Sequence, residues 1–189
     1  KNVKILDKNR NYEINSDNIV YNKLVEKITS KTDTVITVDN SHTIYTENII
    51  FLRTKSKIQS GESTTIKDKF GNEIKLSGFS YSIKDKIIKT DKMEYVDKDG
   101  NIYESNNAIV DLGKEKLAAK DVKVYFAEGE LGENARLKGS SLISENNISI
   151  IKNGIFTACK IRDKCPPWTL KSKEIKHDKN KKIIDYKSS

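Results

Sequence analysis

An eight-residue pattern recurs along the sequence and constrains its fold more than any other feature. Most copies read apolar, any residue, small, polar, polar, apolar, any residue, apolar, as in residues 14–21 and 88–95. The other copies and two half-copies begin at Ile28, Ile44, Ile58, Ile74, Tyr103, Leu117, Leu137 and Leu170. Starts between residues 14 and 117 lie 14 to 16 residues apart, and the spacing then lengthens to 20. We therefore expect one structural unit to be repeated along a single elongated domain that spans residues 1–189.

The repeat predicts β-strands that are interrupted by a bend. In an extended chain the first and third residues of a copy share one face, as do the sixth and eighth, and the polar pair between them fits a bend or a bulge. With 25 Ile and only six Ala, the composition also favours strands over helices. We predict an all-β fold of stacked antiparallel hairpins whose apolar faces confront each other. The alternatives are an ordinary β-sandwich and the parallel coils of a solenoid.

Turn chemistry supports the hairpins. The strongest turn sequence is Asp97-Lys-Asp-Gly-Asn101, and we also predict turns at Phe70-Gly-Asn72 and Asp178-Lys-Asn-Lys181. Residues 82–87 predict a further connection, of two residues. Each turn would join two neighbouring strands.

Charge and hydrophobicity exclude several classes of function. The net charge is +8, but only four of the 35 basic residues are Arg, and they are dispersed. The excess of Lys, Ile and Asn is typical of A+T-rich coding, and attraction to an anionic partner is the alternative. Nucleic-acid recognition usually needs Arg forks and aromatic platforms, so we predict no nucleic-acid partner. The longest apolar runs are far shorter than the roughly 20 residues of a membrane-spanning helix.

Motifs for catalysis are missing from the sequence. His42 and His177 are the only histidines, and neither has a Cys, Asp or Glu at metal-ligand spacing. There is also no nucleophile elbow and no phosphate-binding glycine loop. We predict a protein that is not an enzyme and needs neither cofactor nor metal, and we expect both histidines on exposed strands or turns.

The two cysteines, Cys159 and Cys165, are separated by five residues and followed by Pro166, Pro167 and Trp168. This spacing is not that of a zinc or redox motif. The residues themselves leave three outcomes open: a local disulfide, a disulfide of each to another part of a longer protein, or two free thiols. The only prolines and the only Trp lie here, so we expect a special connection at this place.

The segment around these cysteines resembles a known family. The run Phe156-Thr-Ala-Cys159, followed by Pro167-Trp168-Thr-Leu170 and the alternating residues up to His177-Asp178, resembles the end of the N-terminal periplasmic domain of the LptD family of outer-membrane lipopolysaccharide (LPS) assembly proteins. The repeat over residues 12–189 resembles the broader OstA-like organisation. The resemblance implies a twisted, open β-jelly roll, a V-shaped trough whose apolar interior holds the lipid A acyl chains of LPS.

Further expectations follow from this resemblance. The partners would be LPS, an LptA-like bridge protein that pairs with an edge strand, a transmembrane β-barrel expected in the full-length protein, and an LptE-like plug lipoprotein. The place would be the periplasm, as part of an outer-membrane protein, and we expect the sequence, which begins at Lys1, to be a piece of it. In the family the cysteine matching Cys159 forms a disulfide with the barrel, and a Cys159–Cys165 bond is the alternative.

The repeat and the resemblance together suggest which side chains touch lipid. They are Ile19, Tyr21, Ile49, Phe51, Phe79, Tyr81, Met93, Tyr95, Val122, Val124 and Phe126. The other interpretation is that they fill a closed core. Two other functions remain as alternatives: a free-standing LptA-like periplasmic bridge protein, and a repetitive β-solenoid adhesin or glycan-binding protein.

Overall fold

Strands form nearly all the regular structure of the computed structural model, which describes residues 3–9, 11–128, 134–160, 168–181 and 183–187. One 3-10 helix, Arg53–Lys55, is the exception to the strands among these residues. The strands are β1 (Val3–Asp7), β2 (Tyr12–Ser16), β3 (Ile19–Asn22), β4 (Lys27–Ser30), β5 (Thr34–Val38), β6 (His42–Thr46), β7 (Ile50–Leu52), β8 (Lys57–Asp68), β9 (Glu73–Ser82), β10 (Ile87–Val96), β11 (Ile102–Asp111), β12 (Lys116–Tyr125), β13 (Arg136–Glu145), β14 (Ile148–Thr157), β15 (Leu170–Asp178) and β16 (Ile183–Lys187).

The strands form one open antiparallel sheet. From β8 onward each strand pairs with the next in sequence, and the path ends at β16 without closing on β1. Every pairing in the described part of the chain is antiparallel, which differs from the parallel coils of a solenoid. The predicted all-β fold, a twisted open jelly roll, is confirmed. No helix among the described residues has the length and apolarity to cross a membrane.

Each long strand bends at the polar pair in its middle. In β9 the pair is Ser77-Gly78 and in β11 it is Asn106-Asn107. Gly78 and Asn107 have φ angles of 77° and 48°, in the left-handed region that Gly and Asn tolerate best. The predicted bend is therefore present. In the first units the bend is a full interruption, which separates β2 from β3 and β6 from β7.

These bends fold the single sheet into two facing layers that meet along a line, which we call the apex. The first layer contains β1, β2, β5, β6 and one half of each strand from β8 to β15, and the second layer contains β3, β4, β7, β16 and the other halves. Opposite the apex, the hairpin turns form two rows, one per layer, and we call the gap between the rows the mouth.

The predicted hairpin turns form parts of these rows. Residues 69–72 and 97–101 connect strands in the first layer, and residues 179–182 lie between β15 and β16 in the second. The connection between β9 and β10 has four residues, 83–86, so the prediction of a two-residue connection was wrong. The longer turn lets the backbone N–H of Ile83 reach the carbonyl of Ser56 in the neighbouring turn.

The two layers enclose one apolar core that follows the length of the domain. It begins at Tyr12 in β2 and continues through every later repeat to Ile175 in β15. Its members include residues one, six and eight of most copies, such as Ile88, Met93 and Ile14. The predicted confrontation of apolar faces is thus confirmed, and the core is long and thin because each repeat contributes only a few side chains.

The small third residue of the repeat lies at the apex, where the layers are closest. Its hydroxyl often bonds to a group freed by the bend. Ser16 Oγ lies 2.7 Å from Ser30 Oγ, and Thr90 Oγ1 donates to the carbonyl of Gly78 at 2.8 Å. At Gly139 even a methyl group would lie 2.2 Å from Cγ2 of Ile151. Two causes therefore explain why this position is small. A larger side chain would clash with the facing layer, and a small hydroxyl side chain can hydrogen-bond to polar groups at the bend.

Candidate functional site

The structure gathers ten of the eleven predicted lipid-contacting residues in the interior. Eight of them are buried: Ile49, Phe51, Phe79, Tyr81, Met93, Val122, Val124 and Phe126. Ile19 and Tyr95 are partly buried and pack against the same core. Because these side chains come from both layers, the repeat pattern alone identified the two inner faces.

Tyr21 is the exception, since it lies on β3, the edge strand of the second layer. Its side chain is 46% exposed. The guanidinium of Arg53 lies 5.7 Å from the centre of its ring and donates to its hydroxyl at 3.0 Å. Tyr21 therefore sits at one end of the interior, beside the edge of β3 that pairs with no described strand.

The interior is filled by its own side chains rather than empty. Ile14, Ile36, Ile44 and Ile58 have no solvent exposure. The buried hydroxyl of Tyr81 has no hydrogen-bond partner among the described residues. An unpartnered buried hydroxyl is costly, so Tyr81 contributes to the interior through its ring and not through its hydroxyl.

The interior opens at the mouth. A cleft of about 510 Å³ lies between the two rows of turns. Its rim includes Phe70 and Lys98 from the first layer and Glu115 and Asn146 from the second. Its floor consists of apolar side chains, and all but two of them belong to the buried core: Ile66, Ile74, Tyr95, Val110, Leu112 and Leu117. The cleft is therefore continuous with the apolar core.

An ion pair closes the mouth at one end of this cleft. Lys179, in the second-layer turn after β15, places its Nζ 2.6 Å from Oδ2 of Asp97, in the first-layer turn after β10. The two side chains are only 12% and 3% exposed. The ammonium of Lys179 also lies over the rings of Tyr103, at 4.9 Å, and Tyr95, at 5.6 Å. These contacts join the two layers across the mouth.

Asp97 is held in its ionised form by its surroundings. Burial alone would raise its pKa, but the hydrogen bond and charge of Lys179, together with the side-chain and backbone N–H groups of Asn101, lower the pKa below its ordinary value of 3.8. Breaking a buried pair of this kind by removing one partner costs about 3–5 kcal/mol. Loss of either partner alone would therefore destabilise the closed mouth, because the other charge would stay buried and unpaired.

A second ion pair crosses the mouth at the other end of the cleft. Lys86, in the second-layer turn after β9, lies 2.5 Å from Asp39, in the first-layer turn after β5. These side chains are 38% and 29% exposed, and exposed pairs contribute about 1 kcal/mol or less. A smaller cleft of about 320 Å³, lined by Asn11 and Ser56 among others, lies at this pair. The mouth is thus closed strongly at one end and weakly at the other.

The two histidines differ from each other in their surroundings. His177 is 3% exposed and packs edge-on against Phe126 at 5.6 Å, so the prediction that it is exposed was wrong. Its β15 position faces inward because it is the eighth residue of its copy. His42 is half-buried at the rim of the cleft, and burial lowers its pKa, although Asp68, Glu115 and Asp39 oppose that shift.

The segment that carries the cysteines is anchored at both ends by aromatic contacts. The rings of Phe156 and Trp168 lie 6.0 Å apart. Thr157 Oγ1 donates to the carbonyl of Trp168 at 2.9 Å. Cys159 is buried and forms no disulfide with any described residue. Cys165 lies outside the described residues. The structure therefore does not test a Cys159–Cys165 disulfide, and the pairing of these cysteines stays a prediction.

No cluster of three or more His, Cys, Asp or Glu side chains within the described ranges is arranged to hold a metal ion. Most acidic side chains that line the cleft already accept hydrogen bonds from groups of the chain itself. Asp68 accepts hydrogen bonds from the backbone N–H groups of Phe70 and Asn72, at 2.8 and 3.0 Å. Asp111 likewise accepts two from its own turn. These carboxylates therefore stabilise the turns of the rim.

Sequence reasoning identified the inner faces but missed the mouth. Asp97 and Lys179 both lie in turns that the sequence predicts, yet they are 82 residues apart, and nothing local indicates that they meet. The repeated sequence Asp-Lys-X-Gly-Asn, at 68–72 and 97–101, was a usable signal that these two turns share one structure. Which residue of the opposite row faces them depends on the twist of the sheet.

Comparison with known proteins adds no identification. No protein-family model matches this sequence, and no curated protein sequence matches it significantly. The fold and the site therefore define the chain only as an open, bent antiparallel sheet with an apolar interior and a cleft at its mouth.

Proposed function

We propose that this chain is the periplasmic lipid-receiving domain of an outer-membrane LPS transport and assembly protein. The observation that carries the proposal is the apolar interior, which follows the length of the domain between two layers whose backbones are continuous only at the apex. An interior of this shape suits alkyl chains, because it offers a continuous apolar surface with no discrete polar subsites. The resemblance of residues 156–178 to the LptD family supports the same role.

Transport through such a domain requires an open path rather than a fixed pocket. Since the chain's own side chains fill the interior, lipid would replace contacts between the two layers with contacts to its acyl chains. Both are apolar, so the exchange is nearly neutral in free energy, and movement would be driven from outside the domain. The chain would contribute a surface for sliding and no chemical step.

The proposed neighbours follow from the open sheet. The edges of β1 and β3 at one end and β16 at the other are unpaired in the described chain. An edge strand can pair with another β-domain, and we propose an LptA-like bridge protein as that partner. A free-standing bridge protein would have the same fold, and the gene sequence that follows residue 189 distinguishes the two, because only the assembly protein continues into a barrel.

Photo-crosslinking tests the lipid contact directly. Benzoylphenylalanine replaces Phe51, Phe79 or Tyr95 on the inner faces, and Tyr45, which is 46% exposed on the outer face of β6, serves as the matched aromatic control. We expect the inner positions to capture LPS in cells and the control to capture little. Circular dichroism confirms that each variant is folded. Equal capture at Tyr45 and at the inner positions would contradict the proposal.

A further inference from the structure

We propose that the cleft of about 510 Å³ is the port through which one alkyl chain of an amphiphile enters the interior, and that Lys179 is the residue that closes it. This inference rests on the proposed function and specifies which side of the domain admits lipid. It also assigns a role to a residue that neither the repeat nor the predicted site contains.

The floor of the cleft supports an alkyl chain as the occupant. Val110, Leu112 and Leu117 lie in the floor and also belong to the buried core, so the cleft ends directly on the interior. Its volume lies within the range of about 300–1,000 Å³ that is typical of small-ligand sites. A chain that lies on this floor needs only to separate the two layers to continue inward.

The charges at the rim favour a ligand whose head group stays in water. Lys116 is paired with Glu145 at 3.1 Å. Asp97 is paired with Lys179, and the carboxylate of Asp111 bonds to backbone amides of its turn. Since these charges are largely matched within the chain, the rim offers no strong site for an anionic head group. Recognition therefore lies in the apolar floor, and the same chemistry fits a free fatty acid and an acyl chain of LPS.

Lys179 is the group that must move for the cleft to widen at its strong end. Its ammonium bridges the layers through Asp97 and is covered by two tyrosine rings. The Lys86–Asp39 pair at the other end is more exposed and holds the layers less firmly. Opening therefore begins near Lys86, and the Lys179–Asp97 pair determines how far it extends.

Binding of a long-chain fluorescent fatty acid tests the port. The variant that combines Lys179→Met with Asp97→Asn removes the ion pair, keeps the apolar stem, and leaves no unpaired charge behind. Lys181→Met is the matched control, because that residue is in the same hairpin, is 72% exposed, and lies 3.9 Å from its acidic neighbour. We expect the double variant to bind about tenfold more tightly, which corresponds to about 1.4 kcal/mol of closing free energy, and the control to bind as the unmodified chain does.

A second pair of variants locates the bound chain. Val110→Thr places a hydroxyl in the floor of the cleft, and Val38→Thr places one at a buried core position that does not line the cleft. We expect the Val110 change to weaken fatty-acid binding in the double variant and the Val38 change to leave it unaltered. If the double variant binds the fatty acid no more tightly than the unmodified chain, or if the two Val changes have equal effects, the cleft is not the port.

The outcomes also separate the port from the proposed function. Binding measurements are repeated with LPS in place of the fatty acid. If the inner crosslinkers capture LPS while the double variant behaves as the unmodified chain, the port is wrong and the transport role stands. If the double variant gains affinity for the fatty acid but neither it nor any crosslinker takes LPS, the port stands and the transport role is wrong.

Discussion

Replacing Gly139 by Ala tests why the third residue of the repeat is small. Gly139 lies in β13 at the apex, and a Cβ built there would lie 2.2 Å from Cγ2 of Ile151 and 3.0 Å from the carbonyl oxygen of Lys152. The Ile151 side chain is buried and β-branched, so it cannot rotate away freely. The added methyl group must therefore separate β13 from β14.

Two opposing effects determine the size of the change. Overpacking a core costs about 1–3 kcal/mol. Replacing Gly by Ala also stabilises the native state by about 0.4–1 kcal/mol, because the unfolded chain loses freedom. We therefore expect Gly139→Ala to lower the free energy of unfolding by about 1–2 kcal/mol.

Gly61 in β8 is the matched control, since a Cβ there meets nothing within 4 Å. Gly61→Ala should be neutral or stabilise by up to about 1 kcal/mol. Gly154→Ala should fall between the two, because its closest neighbour, at 2.3 Å, is Cδ1, the far end of the Ile175 side chain.

Urea denaturation measures all three variants. The midpoint should fall for Gly139→Ala without a change in the m-value. In an Ile151→Ala background the Gly139 change should cost less than it does in the unmodified chain, because the clashing methyl group is gone. If Gly139→Ala is as stable as Gly61→Ala, the steric explanation of the small third residue is wrong.

Two further predictions concern buried polar groups. Because the folded pKa of Asp97 is lowered, the stability that this carboxylate contributes is complete above its ordinary pKa of 3.8 and is lost as the pH falls through the folded value. In urea denaturation below about pH 4, the free energy of unfolding should therefore fall more steeply with decreasing pH for the unmodified chain than for Asp97→Asn. Parallel curves for the two proteins would show that the Asp97 carboxyl does not cause the loss of stability in acid. Tyr81→Phe removes a buried hydroxyl without a partner among the described residues, so it should raise the melting temperature or leave it unchanged. Tyr103→Phe should lower the melting temperature, because that hydroxyl lies 3.4 Å from Asp97; the reverse order would contradict the assignment.

Local patterns determined much of this fold. The alternation around Ile88 and Met93 assigned the inner face of β10, because side chains in a strand alternate with a period of two. The polar pair in each copy predicted the bend, since Asn, Asp and Gly accept the backbone angles that a bend needs. The turn at 97–101 followed from its Asp and Gly residues in the same way. These features depend on neighbouring residues within one repeat, so the sequence was sufficient to predict them.

Contacts between repeats were decided by the tertiary structure. Lys179 meets Asp97 only because the sheet twists as it bends, and this brings together turns that belong to different layers and distant parts of the chain. The contact of His177 with Phe126 depends in the same way on the tertiary structure, because Phe126 lies just after β12, far from His177 in the sequence. The sequence by itself therefore determined the repeating unit, its two faces and its bend. The mouth, its cleft and the ion pairs that close it depended on how the twist accumulates over many strands, which no single repeat encodes.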